Sequence, residues 1–565
     1  MGRLIQYIAY FLLLTFALNS FGQSQSFNTF PAEDIKINTN TNLLISGENL
    51  YFNLWCLNKT TSELSFISKM AYVMLINSER EIIINQKIRL ENGLGSGTIY
   101  LPSNLKTGQY KLIYYTKWML NNVDNPFNIQ NIYIISPYLS SKKQIINKDN
   151  EVIISKKQIE PEEQITNNGI QIFSSSIPYK TRSLVTLELE NLNQEPAYLS
   201  ISVRKIEDVF IEDKTPETGE NNLQFSHFYV PELRGEIISG KVIDKTLKMG
   251  IPNKAVSLSI TGNHQIFKIV KTNTLGEFYF NLHESYQSGE LIIQVIDPTP
   301  QNFDIIKNNF EFPFLNTLEF NEVQFNSEIK DWLLNRSIQS QIENAYFQFS
   351  KDSIKDKLTP YMLFGNPNSH YVLDEYTSFS SMDKILIEVL ENVGVKKSQG
   401  ERRININPID QNEIYTSDIE NFVVIDGIPI LNHENLFQLQ PEKINTISIY
   451  TDLFFYGHVT FDKIFLVNTK KNDFILPNNE PQYKENIIES KNSLLFTGPD
   501  YTEEKHERIP DLRTQLFWLA NTEINKDKKS FNFYTSDVTG LYEISVKGFL
   551  KNGQQIKLIK NIEVK

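Results

Sequence analysis

The residue types that most often perform chemistry are sparse and scattered in this chain. Its seven histidines show neither the H-x-x-x-H nor the H-E-x-x-H spacing that places two imidazoles on one helix face around a metal ion. No G-x-S-x-G elbow and no phosphate-binding glycine loop occurs. The histidines are His227, His264, His283, His370, His433, His458 and His506. The sequence therefore predicts no catalytic residue, no metal site and no cofactor.

The single cysteine and the densest charged cluster have ordinary structural interpretations. Cys56 lies inside the apolar run LYFNLWCLN, which predicts a strand, and it has no base motif beside it. One thiol cannot form an internal disulfide, so we expect a small buried hydrophobic residue. The run from Glu503 to Arg508 mixes both signs of charge inside a predicted linker, which favours a solvated loop over a metal site.

Composition limits the class of partner. The chain has 565 residues, of which 40% are hydrophobic and 12% aromatic, enough for several buried cores and about three to five domains. Its formal net charge is -12, and no lysine-rich or arginine-rich stripe offsets it. This balance argues against nucleic acid, or an anionic lipid surface, as the main partner.

The first 22 residues predict export. Arg3 supplies a positive start, residues 5–18 form a short apolar run, and Ser20 and Gly22 offer small residues for cleavage before Gln23. The run is shorter than a membrane span needs, so we expect no transmembrane segment after cleavage and at most a peripheral association with the membrane. No cysteine stands at the cleavage point for a lipid anchor. The predicted location is the periplasm, the outer membrane or the cell surface.

Short runs rich in Ile, Val, Tyr and Phe recur between turn residues through most of the chain, which predicts a mainly β fold of tandem sandwiches. The predicted units are sandwiches at 35–136, 165–213, 233–297 and 493–565, a helix and connector at 326–349, and a small α+β domain at 375–470. Two helices are expected, from Ser327 to Phe349 with an apolar core-facing stripe, and from Ser381 to Val393 with Gly394 ending it.

Residues 35–136 resemble the second macroglobulin-type domain of the α2-macroglobulin family, which implies an immunoglobulin-like sandwich. The resemblance rests on Gly47, Glu48, Gly97, Leu101, Pro102, Leu105, Gly108 and Tyr110. The thioester of that family needs a C-x-E-Q context, whereas Leu57, Asn58 and Lys59 follow Cys56. The covalent protease trap is therefore not implied.

Residues 233–297 resemble the carboxypeptidase regulatory-like domain, a small transthyretin-like sandwich without enzymatic activity of its own. The matching positions are Gly240, Val242, Asp244, Gly250, Pro252, Val256, Leu258, Thr272, Gly276, Phe278 and Phe280. We expect Gly276 to adopt a positive φ in a hairpin turn.

Residues 375–470 resemble the plug domain of TonB-dependent outer-membrane receptors. The matching positions are Asp426, Gly427, Pro429, Ile444, Ile447, Ile449, Tyr456, Gly457, Thr469 and Lys470. The resemblance implies one small sheet that holds both the D-G-x-P strand and the I-x-x-I-x-V strand. Fewer than a hundred residues follow Lys470, too few for a receptor barrel, so we expect a plug-like domain without a pore.

Residues 493–565 resemble the terminal sandwich of a group of bacterial envelope proteins that combine macroglobulin-type, regulatory-like and plug-like domains. Arg513, Trp518 and the turn at Gly540 carry this resemblance. Two functions are left open by the sequence. The favoured one is a non-catalytic adaptor that docks on an outer-membrane barrel or an envelope assembly or secretion complex. The alternative is an uptake-related protein that binds peptide or glycan and works with a TonB-dependent transporter.

Overall fold

The computed structural model describes most of the chain. The described residues are 31–122, 125–138, 151–156, 162–174, 178–212, 228–262, 265–309, 312–325, 327–346, 364–376, 378–398, 400–407, 417–478, 480–491, 496, 498–502 and 509–565. The predicted signal peptide at 1–22, the charged run at 503–508 and the histidines at 227, 264 and 506 lie outside these ranges.

The described residues form 34 strands and three α-helices. Strands β1 to β9 span Glu33–Thr39, Leu43–Ile45, Asn49–Asn58, Met70–Ile76, Ile82–Arg89, Leu94–Tyr100, Gly108–Tyr115, Asn128–Ile135 and Glu151–Lys156. Strands β10 to β21 span Thr166–Asn167, Ile170–Phe173, Leu184–Asn191, Ala197–Lys205, Val209–Glu212, Glu236–Asp244, Ala255–Ile260, Ile266–Lys271, Glu277–Leu282, Gly289–Ile296, Phe303–Lys307 and Glu322–Phe325. Strands β22 to β34 span Ser369–Val372, Val393–Ser398, Glu401–Ile406, Ile419–Ile425, Ile428–Pro429, Ile444–Tyr456, Val459–Thr469, Tyr483–Ile487, Ser490–Lys491, Gln515–Ile524, Lys528–Tyr534, Gly540–Leu550 and Gln555–Val564. Helices α1 to α3 span Lys330–Tyr346, Met382–Glu388 and Glu434–Phe437. The prediction of a mainly β chain built of sandwiches is confirmed.

The first sandwich packs the sheet β1-β3-β6 against the sheet β2-β8-β7-β4-β5-β30. Alternating side chains such as Phe52, Val73 and Leu112 fill the space between the sheets and are fully buried. Cys56 lies in the same core, where burial raises the pKa of its thiol. It therefore packs as the small hydrophobic residue that the sequence predicts.

The segments predicted as separate sandwiches at 165–213 and 493–565 form one joint sandwich. One sheet has the order β10-β11-β12-β32 and the other β31-β13-β33-β34. Leu187 and Leu199 share a core with Val546 and Leu558. The apolar alternation identifies each of these strands correctly, but it does not say which other strands complete the core, because pairing partners more than 300 residues apart leave no local signal.

The predicted C-terminal boundary of the sandwich at 165–213 also lies too far along the chain. Strand β14, Val209–Glu212, leaves the joint sandwich and pairs with β9, which in turn pairs with β21. Helix α1 packs beside this small sheet, and its Trp332 and Leu333 contact the apolar cluster that includes Val152 and Val209.

The regulatory-like sandwich, so named for the predicted resemblance, packs β18-β15-β20 against β17-β16-β19-β29. Gly240 lies in β15, where a Cβ atom would come within 2.5 Å of Cζ of Phe278. Gly276 has φ +80° in the turn before β18, as the sequence predicts.

The plug-like sheet, named in the same way, has the order β22-β27-β28-β25-β26. The strands of the two predicted motifs share this sheet, but β28 lies between them, parallel to β25 and antiparallel to β27. One face of the sheet packs against helices α2 and α3. The other face packs against Phe267 and Ile269 of the regulatory-like sandwich.

Two helix predictions need correction. Helix α2 ends at Glu388, earlier than predicted, because Val393–Ser398 forms strand β23 paired with β24, and Gly394 therefore lies in a strand. In α1 the buried residues are Arg336, Ser337 and Ser340, whereas Ile338 of the predicted apolar stripe is 45% exposed. None of the helices in the described part of the chain is long and apolar enough to span a membrane.

Candidate binding site

The buried polar face of α1 centres on Arg336. Its guanidinium forms ion pairs with Glu48 at 2.8 Å and with Glu207 at 3.3 Å, and it donates a hydrogen bond to the hydroxyl of Thr514. We call Arg336 and these three partners the polar junction. Glu48 belongs to the first sandwich, Glu207 follows β13 and Thr514 precedes β31. One buried arginine thus connects the helix to the first sandwich and to the joint sandwich, and removing it would leave buried carboxylates without a partner.

A second buried ion pair supports the polar junction from the joint sandwich. Arg513 and Asp511 are fully buried, and the guanidinium donates from Nε to Oδ1 at 2.8 Å and from Nη2 to Oδ2 at 2.6 Å. This two-point pairing fixes the direction of the arginine side chain. The chain before β31 is thereby held rigidly where it meets α1.

Two half-buried charged groups near the polar junction have shifted pKa values. Burial and the neighbouring Glu48 raise the pKa of Glu343 to about 7. Burial and the neighbouring Arg336 lower the pKa of Arg204. Both side chains line a small cavity of about 20 Å³, which has room for one water molecule.

A larger cavity, which we call the α1 cleft, lies beside the polar junction. It has a volume of about 750 Å³. Its walls are formed by one side of α1, the connection from β13 to β14, and the start of β33. The volume lies within the range of small-molecule and peptide sites. Trp332 lines the cleft, and its indole N–H donates a hydrogen bond to Glu207.

Lys205 is the distinctive charged group of the α1 cleft. The side chain is half-buried, and burial lowers the pKa of its ammonium group. Within the described ranges the ammonium makes no hydrogen bond or ion pair. Gly540 is its neighbour across the cleft, and a Cβ atom there would stand in van der Waals contact with Cε of Lys205, at 3.4 Å. Gly540 also has φ +125°, a conformation that other residues adopt with strain.

The D-G-x-P residues form a tight turn rather than a binding pocket. Asp426 and Gly427 have φ values of +49° and +78° and connect β25 to β26, where Pro429 pairs with Val424. The Gly427 carbonyl accepts a hydrogen bond of 2.7 Å from the hydroxyl of Ser259 in the regulatory-like sandwich. The turn is thus part of an interface within the molecule.

Tyr456 and Gly457 lie at the tip of the hairpin from β27 to β28. Gly457 has φ +58° in the turn. The Tyr456 hydroxyl donates to the carbonyl oxygen of Phe267 at 3.2 Å. The preceding residue, Phe455, is 66% exposed.

The structure does not bring the main turn and motif residues predicted from the sequence into one site; these eight residues are Gly240, Gly276, Asp426, Gly427, Pro429, Tyr456, Gly457 and Gly540. Three form the turn at 426–429, two lie at the hairpin tip, two lie inside the regulatory-like sandwich, and Gly540 lines the α1 cleft. The other cleft residues Lys205, Trp332 and Arg336 are not identified from the sequence. The i, i+4 spacing of Trp332 and Arg336 on a helix places them on one face, but nothing local indicates that β13 and β33 would meet that face.

Comparisons with known proteins do little to narrow the family or the function of this chain. No protein-family model and no curated protein matches the chain. Among solved structures, trypsin-activated α2-macroglobulin from Escherichia coli aligns over 95% of this chain and 42% of its own chain, at 8% identity and a TM-score of 0.24. The native E. coli α2-macroglobulin aligns over 95% of this chain and 40% of its own, at 9% identity and a TM-score of 0.24. Dimeric latent PorU from Porphyromonas gingivalis aligns over 52% and 34%, at 10% identity and a TM-score of 0.16.

The chain spans about two fifths of the length of those macroglobulins. TM-scores at this level carry no argument for a shared overall fold. The resemblances to macroglobulin-type, regulatory-like and plug-like domains accordingly stay predictions.

Proposed function

We propose that this protein is a non-catalytic adaptor of the bacterial outer membrane, whose plug-like unit docks on a barrel or on an envelope assembly or secretion complex. The single observation that carries the proposal is Phe455, a large aromatic side chain that is 66% exposed at the tip of a hairpin. Exposed aromatic residues on rigid elements frequently anchor protein interfaces.

The surroundings of Phe455 support a docking role for the hairpin. Phe454 points the other way and contacts Phe364, with ring centroids 5.4 Å apart. Tyr456 is held by its hydrogen bond to Phe267. Both neighbours are thus fixed, so Phe455 is presented in a defined position and loses little conformational entropy on binding. Since both faces of the plug-like sheet are covered, the sheet itself offers a partner this tip and its edges.

Affinity purification tests the proposal. The tagged full-length protein would be expressed in its native cell, recovered from detergent-solubilised outer membranes, and its co-purifying chains identified. We expect an outer-membrane barrel or a subunit of an envelope complex in stoichiometric amount. Recovery from the cytosolic fraction with the first 22 residues intact would contradict both the export and the adaptor role.

A second candidate function is favoured by the α1 cleft. A cavity that combines an indole wall with an unpaired lysine suits a small ligand better than a flat protein surface. It supports an uptake-related protein that binds peptide or glycan and delivers it to a TonB-dependent transporter. The two candidates use different surfaces, Phe455 for one and Lys205 for the other, so each can be tested without the other.

A further inference from the structure

We propose that the α1 cleft binds a short peptide and that Lys205 receives one of its carboxylate groups. The inference rests on the second candidate function and names its ligand class. The carboxylate is either the peptide's C-terminus or an acidic side chain, since both present the same group to an ammonium.

The charged side chains that line the cleft differ in whether they already have a partner within the protein. Asp208 is engaged by Lys156 at 2.9 Å. Glu207 is shared between Arg336 and the indole of Trp332. Lys205 and Asp331 make no hydrogen bond or ion pair with another described residue, and of the two Lys205 is half-buried whereas Asp331 is exposed. The carboxylates of Glu207 and Asp208 attract the Lys205 ammonium without forming an ion pair with it, and a carboxylate that pairs with it directly would further offset the cost of its partial desolvation.

The α1 wall offers amides suited to a peptide backbone. Asn335 and Gln339 both line the cleft and lie four residues apart, which places their side chains about one helical turn from each other. Neither side-chain amide makes a hydrogen bond to another described residue. Each amide can donate and accept at once, as a peptide group requires. A neutral glycan could use these amides too, but it would leave Lys205 unpaired, and this favours the peptide.

The opposite wall provides space and apolar contact. Gly540 and Leu541 begin β33, and Leu541 is 41% exposed. Ile338, on the α1 side, is 45% exposed. These two aliphatic side chains can cover an apolar side chain of the peptide, while Gly540 keeps the approach to Lys205 open.

The test measures fluorescence anisotropy of labelled peptide pools with the intact protein. One pool of random neutral hexapeptides carries a free C-terminal carboxylate, a second is C-terminally amidated and contains one Glu, and a third is amidated with Gln in place of Glu. We expect the first or the second pool to bind and the third to bind at least about tenfold more weakly, the loss of one charge-assisted contact. Binding of the first pool alone identifies the C-terminus as the carboxylate, and binding of the second alone identifies an acidic side chain.

Variants locate the binding at the cleft. Lys205→Met should weaken binding of the favoured pool at least about tenfold and abolish its preference over the Gln pool. The matched control is Lys384→Met, which removes an exposed lysine from α2 outside the cleft. It should change the affinity less than about twofold. Circular dichroism and melting curves confirm that both variants are folded.

Three results would overturn the inference: no binding of any pool, equal binding of the Gln pool, or unchanged binding by Lys205→Met. Binding of oligogalacturonate without any peptide would also overturn it, because the ligand would then be an acidic glycan. None of these results touches the docking role assigned to Phe455, which is measured by co-purification.

Discussion

Asp426 holds Thr469 with both oxygens of its carboxylate. Oδ1 accepts the backbone N–H of Thr469 at 2.7 Å, and Oδ2 accepts its hydroxyl at 2.6 Å. Oδ2 also accepts the N–H of Phe474 at 3.0 Å, and Asp426 is only 3% exposed. Two motif positions at opposite ends of the plug-like pattern, Asp426 and Thr469, are thereby joined in one buried network.

Removing this carboxylate should destabilise the plug-like unit. Asp426→Ala leaves buried N–H donors without an acceptor, and we expect the free energy of unfolding to fall by about 2–4 kcal/mol. Urea denaturation followed by circular dichroism and by amide hydrogen exchange in β27 and β28 provides the measurement, because none of the four tryptophans lies in the plug-like unit. Glu442→Ala, an exposed acidic residue of the same unit, serves as control and should stay within about 0.5 kcal/mol. Equal stability of the two variants would show that the network contributes nothing.

The turn glycine gives a backbone test. Gly427 has φ +78°, and an added Cβ would approach Cβ of Gln265 at 3.2 Å. Gly427→Val should therefore lower the free energy of unfolding by roughly 1–3 kcal/mol. Gly394→Val is the matched control, since Gly394 lies in a strand with open space around it and a β-branched residue suits that conformation. An unchanged melting transition in Gly427→Val would contradict the expected backbone strain of a β-branched residue at this position.

These two residues show what local sequence can predict. The D-G-x-P pattern identifies the turn because its glycine and aspartate act within a few residues of each other. The joint sandwich is different, since Leu187 and Phe531 lie opposite each other in paired strands more than 300 residues apart. The burial of Arg336 likewise cannot be predicted from local sequence, because an arginine in a helix is usually solvated and only the tertiary fold places Glu48 and Glu207 beside it. Local sequence patterns therefore predict secondary-structure elements and turns. The residues that line the α1 cleft are brought together only by the tertiary fold.

The raised pKa of Glu343 predicts a pH dependence of stability. Its folded-state pKa is about 7 against an ordinary value of 4.5, so the folded state binds the proton more tightly than the unfolded state. The stabilisation is present below pH 4.5 and is lost as the pH rises towards 7.

Glu343→Gln keeps the shape of the neutral carboxylic acid but cannot titrate. It should therefore remove the pH dependence of stability that comes from this side chain. Between pH 4.5 and 7 the free energy of unfolding of the wild-type protein should fall by about 1–2 kcal/mol more than that of the variant, a figure reduced for partial exposure. Glu319→Gln, at an exposed position, should follow the wild type. If the free energies of unfolding of wild type and Glu343→Gln changed with pH in parallel, the raised pKa of Glu343 would be ruled out.

The joint sandwich predicts coupled protection of distant segments. Leu199 is fully buried in β13, between β31 and β33. Leu199→Ala should cost about 2–5 kcal/mol and raise amide hydrogen exchange in β33 and β34 as well as in β13. Leu258→Ala, fully buried in the regulatory-like sandwich, should raise exchange there instead. Increased exchange confined to residues before 213 in Leu199→Ala would contradict a single shared core.

The docking role needs a variant that leaves the fold intact. Deleting residues 375–470 would expose Phe267 of the regulatory-like sandwich, which packs against Phe422 with ring centroids 5.9 Å apart. Such a deletion would confuse loss of docking with loss of folding. An exposed side chain at the hairpin tip avoids this problem.

The most direct measurement is the affinity of the Phe455→Ala protein for the partner recovered from outer membranes, compared with wild type. Truncating an aromatic anchor should weaken binding about thirtyfold or more. The matched control is Phe66→Ala, which removes a phenylalanine that is 59% exposed on the first sandwich, far along the chain from the plug-like unit. It should bind within about twofold of wild type. If Phe455→Ala binds as tightly as wild type, the plug-like hairpin is not the docking surface and the adaptor proposal fails.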